Sequence, residues 1–330
     1  MGKLYENALK FNNNWINFQE NDTLNSNLNL SIVIPVYHPR YLKEVLNHLS
    51  KLDGIYEVVT VFDGLDDKPN SIIKDYNFNF TVVRHNKNYN APAANNTGAV
   101  YAEGDLILFL DQDMILSPNF IENAKKLLLV NQKGIVLGFR DTLDYENIPT
   151  FENWKEADFQ NDWRMKTTIN DDYLDLTVSN CGSVNNNCDK NNLIEIYKET
   201  NAFRTLGVKK EKTIAFWDLP SMVISHTLAI YKRDFLKIGG YPEWIVGWGG
   251  EDIALGFLAV SNHLPIIPLE VGSYHIKHEP HSGSEAKKWM EMRKNLEKYK
   301  QWSSTIDEFP SIDQEECKTR SKVLYKSKKF

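Results

Sequence analysis

The chain has 330 residues, 42% of them hydrophobic, enough for one large domain or two modest ones with a sizeable core. Its formal charge of −6 leaves no overall electrostatic footprint for nucleic acid. No apolar run approaches the roughly 20 residues that span a bilayer.

Asn12, Asn13, Asn14 and Asn17 interrupt any apolar core of a signal peptide. Three cysteines, Cys181, Cys188 and Cys317, fit a reducing compartment, so a cytoplasmic protein is expected. The Cys181–Cys188 spacing is not a zinc pattern.

Residues 1–29 read as an Asn-rich arm with one short helix around Leu9–Phe18. Ser31–Val36 is an apolar run of the buried-strand type. Leu42, Val45, Leu46 and Leu49 then fall on one helix face. Glu57–Phe62 is a second strand, ended by Asp63-Gly64, and Phe80–Arg84 is a third. The small residues of 91–102 suit a closely packed helix, and Leu106–Leu110 is a fourth strand. Ser117-Pro118 is an N-cap and N1 pair predicting a helix to about Val130. Ile135–Phe139 is a fifth strand. This alternation predicts an α/β domain with a Rossmann-like, mostly parallel sheet flanked by helices.

Residues 141–176 break the pattern, with ten acids against three bases and interspersed Tyr145, Trp154, Trp163 and Tyr173. A helical insert or lid and a solvated surface excursion are both open readings. Val223–Tyr231 reads as a strand, and a helix face follows Asp252 in Ile253, Phe257 and Val260. Leu264–Leu269 and Val271–Ile276 are two late strands, and a charged helix covers Glu285–Trp302. The last 13 residues hold six Lys or Arg and no acid, a basic tail that is solvated or touches anionic headgroups. Three segments result: an arm over 1–29, a domain over 30–283 divided near 140, and a helical, basic tail over 284–330.

Asp63 and Asp111 each follow an apolar strand directly, and open α/β sheets bind ligands beyond the carboxyl ends of their strands. Asp111-Gln112-Asp113 at such an end suits a divalent cation bridging a diphosphate. Gly247-Trp248-Gly249-Gly250-Glu251-Asp252 precedes a helix. Its glycines admit close approach, Trp248 offers a platform to a sugar face, and Asp252 at a helix start can act as general base on an acceptor hydroxyl. Glu251 is read as holding sugar hydroxyls. A manganese-like ion also accepts an imidazole. His275, His278 and His281 stand 23, 26 and 29 residues beyond Asp252.

Ser31 to Phe120 resembles the donor half of a family 2 glycosyltransferase of the GT-A fold. Ser31–Tyr37 resembles the opening strand, so Pro35, Val36 and Tyr37 are expected near the nucleotide base. Val61-Phe62-Asp63-Gly64 resembles the Asp-Gly turn that binds uracil or ribose. Ala94-Asn95-Asn96-Thr97-Gly98 resembles the Ala-Arg-Asn-x-Gly helix, with Asn95 replacing the Arg at a donor-binding position. In Asp111-Gln112-Asp113, the resemblance puts Asp111 and Gln112 near the donor and Asp113 on the metal. Ile238–Glu243 followed by Gly247–Asp252 is similar to β1,4-galactosyltransferases, chondroitin-polymerase-type enzymes and polypeptide N-acetylgalactosaminyltransferases. This likeness implies donor contacts at Trp248, Gly249 and Gly250. Ile276-Lys277-His278 resembles the galactosyltransferase form of the metal histidine and Tyr274-His275 the chondroitin-polymerase form. His278 is favoured, then His275.

The resemblance covers roughly residues 30–282. It implies an inverting, Mn²⁺- or Mg²⁺-dependent transferase moving a hexose or N-acetylhexosamine from a UDP-sugar to a glycan, lipid-linked glycan or peptide. The alternatives are a sugar nucleotidyltransferase and an inactive glycan-binding module on the same fold.

Overall fold

The computed structural model describes residues 2–10, 28–64, 76–155, 223–279 and 284–329, with residues 69, 72, 74, 162 and 220. The strands are β1 Leu30–Val36, β2 Glu57–Phe62, β3 Asn79–His85, β4 Leu106–Leu110, β5 Met114–Ile115, β6 Ile135–Leu143, β7 Thr227–Tyr231, β8 Ile266–Ile276 and β9 Ser321–Ser327. The helices are α1 Lys3–Lys10, α2 Leu42–Leu49, α3 Asn90–Tyr101, α4 Phe120–Asn131, α5 Lys232–Lys237, α6 Glu251–Ser261, α7 Glu285–Thr305 and α8 Gln314–Thr319.

All nine strands join one sheet in the order β5-β8-β6-β7-β4-β1-β2-β3-β9. Alternate residues of a strand point to opposite faces, and both faces are covered, so the strands read as unbroken apolar runs. Val33, Ile107 and Phe109 pack on one side with α1, α3, α6 and α7. Ile32, Ile34, Leu106 and Leu108 pack on the other with α2 and α4. Helix α3 seats directly on β1 because Gly98 faces it, where a Cβ would stand 2.3 Å from Val33 Cγ1.

Several expectations are corrected. The sheet is mixed, with four neighbouring pairs parallel and four antiparallel. The parallel order holds from β4 through β1 and β2 to β3, with α2 crossing from β1 to β2 and α3 from β3 to β4. An apolar run does not encode its direction, so antiparallel β7 was indistinguishable from a parallel strand. Strand β7 begins at Thr227, and the two late strands are one strand, β8, with a register shift against β6 at Gly138/Phe139. Helix α4 is capped by Asn119, since Ser117 and Pro118 form a preceding turn in which Phe120 N–H donates to Ser117 O at 3.1 Å. The first helix is Lys3–Lys10, earlier than expected, and residues 11–27 lie outside the described ones.

The acidic stretch is described only to 155 and at 162. Its beginning extends β6, makes one 3-10 turn at Tyr145–Asn147 and packs Trp154 edge-on against Tyr274 of β8. Trp163, Tyr173, Cys181 and Cys188 lie outside the described residues, whereas Cys317 is a buried free thiol. The expected charged helix is α7, and only the basic end that follows α8 is not helical. It is edge strand β9, antiparallel to β3, and Lys326 and Lys328 donate to Glu103 at 2.6 and 3.3 Å. No helix among the described residues is long and apolar enough to cross a membrane.

Candidate active site

Two clusters form beyond the carboxyl ends of the central strands. The first surrounds Asp63, which follows β2 and is buried. Its Oδ1 accepts from Tyr89 N–H at 2.8 Å and pairs with His85 Nδ1 at 2.8 Å. His85 Nε2 lies 2.9 Å from Thr97 Oγ1, which in turn accepts from Arg320 Nε at 3.3 Å. Arg320 also grips Glu243 with both terminal nitrogens, at 2.5 and 2.8 Å, and bonds Ala93 O at 3.1 Å. Burial opposes ionisation of Glu243, but Arg320 and Asn96 hold its carboxyl below the usual range. One buried chain of bonds therefore runs from the Asp63 turn across α3 to the segment leading into Trp248.

The second cluster centres on Asp113. The Asp111-Gln112-Asp113 turn joins β4 to β5, and Gln112 Nε2 donates to Tyr37 O at 2.7 Å, tying it to the end of β1. β5 pairs Met114 with His275 of β8, which brings His275 beside Asp113. His278 Nε2 is 2.7 Å from Asp113 Oδ2, and His275 Nε2 is 3.6 Å from Asp113 Oδ1. Ligand atoms of all three lie within 4.8 Å of one another. Burial disfavours the Asp113 charge, but the bond from His278 and the field of His275 outweigh it and lower its pKa. The Asp113 bond raises that of His278, while burial pushes His275 down to about 4, keeping it neutral.

These residues fit a divalent cation. Asp113 Oδ1 is buried without a hydrogen-bond partner, and neutral imidazole beside carboxylate is a donor set that manganese-like ions accept. His278 Nδ1 bonds Glu279 O at 2.8 Å, an outer contact that fixes the ring with Nε2 inward. His281 lies outside the described residues. Asp111 is pushed up to about 7 by burial and by the charges of Asp113 and Asp252.

Asp252 enters the same field from α6. Gly247, Gly249 and Gly250 take φ of +84, +83 and +97°, left-handed values that bring the chain sharply into the helix. Asn295 of α7 clamps this loop, its Nδ2 reaching Val246 O, Trp248 O and Gly249 O at 3.2, 3.3 and 2.9 Å. Ser225 donates to Asp252 Oδ1 from its N–H at 3.1 Å and its hydroxyl at 2.5 Å, orienting the carboxylate. Burial, then the Asp252 charge, pushes Glu251 up to about 8. Trp248 stands 38% exposed at the mouth.

Asp111, Asp113, Glu251, Asp252, His275 and His278 thus share one acidic crevice, with Trp248 at its edge. Tyr37 is joined to it through Gln112, and Pro35 and Val36 lie on β1 just before it. Asn95 is 4% exposed inside α3, and its Oδ1 has no hydrogen-bond partner. Sequence reading missed Ser225, His85, Asn295 and Arg320, and Thr97 entered it only inside the Ala94–Gly98 segment, with no role given.

The sheet that holds this strand-end carboxylate and histidine triad matches the fold of GT-A glycosyltransferases. A model described as glycosyl transferase family 2 matches residues 31–186, and one described as the N-terminal domain of galactosyltransferase matches 219–281. The chain is thus similar to a family 2 glycosyltransferase domain over its first half and to a galactosyltransferase-type segment after it.

The chondroitin synthase of Pasteurella multocida (strain Pm70) is 26% identical over 243 residues, 71% of this chain and 23% of that protein. The validoxylamine A glucosyltransferase of Streptomyces hygroscopicus subsp. jinggangensis is 23% identical over 251 residues, 72% of this chain and 52% of that protein. This chain therefore spans about a quarter to a half of the length of these relatives. GalNAc-T7, solved with UDP, GalNAc and Mn²⁺, shares the fold at a TM-score of 0.55 and 16% identity, over 82% of this chain and 47% of that one.

Proposed function

We propose that this chain is an inverting, divalent-metal-dependent transferase that moves a hexose or N-acetylhexosamine from a UDP-sugar to a glycan acceptor. The observation that carries the reading is the convergence of Asp113, His275 and His278 within 4.8 Å in the crevice that Asp252 also enters. These three side chains would hold a divalent ion, which would supply Lewis-acid stabilisation to a diphosphate leaving group.

The remaining work falls to the chain itself. Asp252, oriented by Ser225, takes the proton of the acceptor hydroxyl as its oxygen attacks the anomeric carbon opposite the diphosphate. In-line attack inverts the anomeric configuration. Glu251, raised to about 8, carries a proton at neutral pH and can donate to a sugar oxygen. Asp63, held by His85 and Tyr89, accepts from the nucleoside. The buried free thiol of Cys317 supports a cytoplasmic location.

The test is a donor screen measuring UDP release from each UDP-sugar, with Mn²⁺ and with EDTA. Release from one donor that depends on the metal is expected. Release unaffected by EDTA would overturn the metal role.

A further inference from the structure

Helix α7 lies beyond both family-matched segments, the later of which ends at residue 281. It nevertheless packs against the catalytic loop. Asn295 clamps three loop carbonyls, and Glu291 Oε2 accepts from Trp248 N–H at 3.1 Å. On the same helix, Trp289 stands 50% exposed. Its ring centroid is 5.7 Å from that of Trp248, at an interplanar angle of 81°. Val246 beside them is 58% exposed. Two exposed indoles therefore meet at the loop that leads into Asp252, an exposed apolar patch of the kind that marks an interaction site.

The two rings are not equivalent. Lys288 places its ammonium 4.3 Å from the Trp248 ring centroid, covering that face. The more open indole is Trp289, with Trp248 standing at right angles as an end wall. Asn295 and Glu291 fix this corner from below, so little ordering would be needed on binding. A pyranose suits such a corner. One of its faces is a patch of C–H bonds that packs flat on an indole, while its equatorial hydroxyls point outward to the polar side chains of Lys288 and Glu291.

We propose that α7 builds an acceptor subsite for a carbohydrate ring, with Trp289 as its stacking surface and Trp248 as its end wall. The inference rests on the transferase reading above and specifies the acceptor side of the same crevice.

The test is saturation-transfer NMR of the full chain with UDP and Mg²⁺, using methyl β-D-glucoside, methyl β-D-galactoside and methyl β-D-glucuronide, with a Ser/Thr peptide for comparison. Parent, Trp289→Ala and Trp289→Phe are compared, and UDP affinity is measured on each. At least one glycoside should bind saturably. Trp289→Ala should weaken it about tenfold, Trp289→Phe should restore most of the loss, and UDP affinity should stay within about twofold. A protein that binds UDP but no glycoside, a Trp289→Ala variant that binds like the parent, or Trp289-dependent binding of the peptide alone would each overturn the inference. Glycoside binding without any UDP binding would instead overturn the donor reading and leave the subsite standing.

Discussion

Asn295 offers a direct test of how the catalytic loop is held. Its amide has two hydrogens, yet three loop carbonyls lie within 3.3 Å of Nδ2. At most two full bonds form at once. Each is worth about 0.5–1.5 kcal/mol, so Asn295→Ala removes about 1–3 kcal/mol in total. Val246, Trp248 and Gly249 lie at the surface, where water can replace the lost donor, so the expected loss is at the lower end, about 1–2 kcal/mol. Asn295→Asp keeps the shape but turns an acceptor toward those carbonyls in a site where Asn295 is 2% exposed. Its cost should exceed that of the alanine variant. Urea unfolding of the three proteins gives these differences, and UDP release with the donor from the screen gives the functional effect. Release should fall while UDP affinity holds, because the clamp acts on the loop carrying Trp248 and Asp252. A loss below about 0.5 kcal/mol in Asn295→Ala, or an aspartate variant as stable as the parent, would refute the clamp.

Other outcomes follow from the crevice. Asp113→Ala and His278→Ala should each abolish most of the Mn²⁺-dependent gain in UDP affinity by calorimetry, and a parental gain in either would remove that residue from the metal shell. Asp252→Asn should lower turnover by roughly 10²–10⁴ with donor affinity unchanged, and near-parental turnover with chemistry rate-limiting would remove it as base. In EDTA, Glu251, raised from 4.5 to about 8, holds a proton that the unfolded chain releases, so its contribution to stability is lost as pH rises through that window. Asp111, raised to about 7, and His278, also raised, act in the same sense, while His275, pushed down to about 4, opposes them only below its ordinary 6.5. The thermal midpoint should therefore fall between pH 6.5 and 8, less steeply in Glu251→Gln, and a rising parental midpoint would refute the assignment.

What the sequence revealed follows from which signals are local. Strands β2 and β4 matched their apolar runs, and the acids just past them were legible because a polar residue ending such a run marks a strand's carboxyl end. The glycines before Asp252 announced a helix start. The histidine choice stayed open because three candidates share one short segment, and the pairing of Met114 with His275 is what brings β8 to Asp113. Strand direction was hidden, and so was every support that arrives from far along the chain. Ser225, Asn295 and Arg320 are ordinary polar residues in their own neighbourhoods. Only folding shows that they meet Asp252, the Trp248 loop and Thr97.

The position of Arg320 has a practical consequence. An expression boundary drawn at the end of the recognisable domain, near residue 283, would keep every acid and histidine of the crevice. It would discard the outermost strand and the guanidinium that links Thr97 to Glu243. On the proposed reading, such a trimmed protein would keep the metal and base residues and lose the support of the Asp63 cluster.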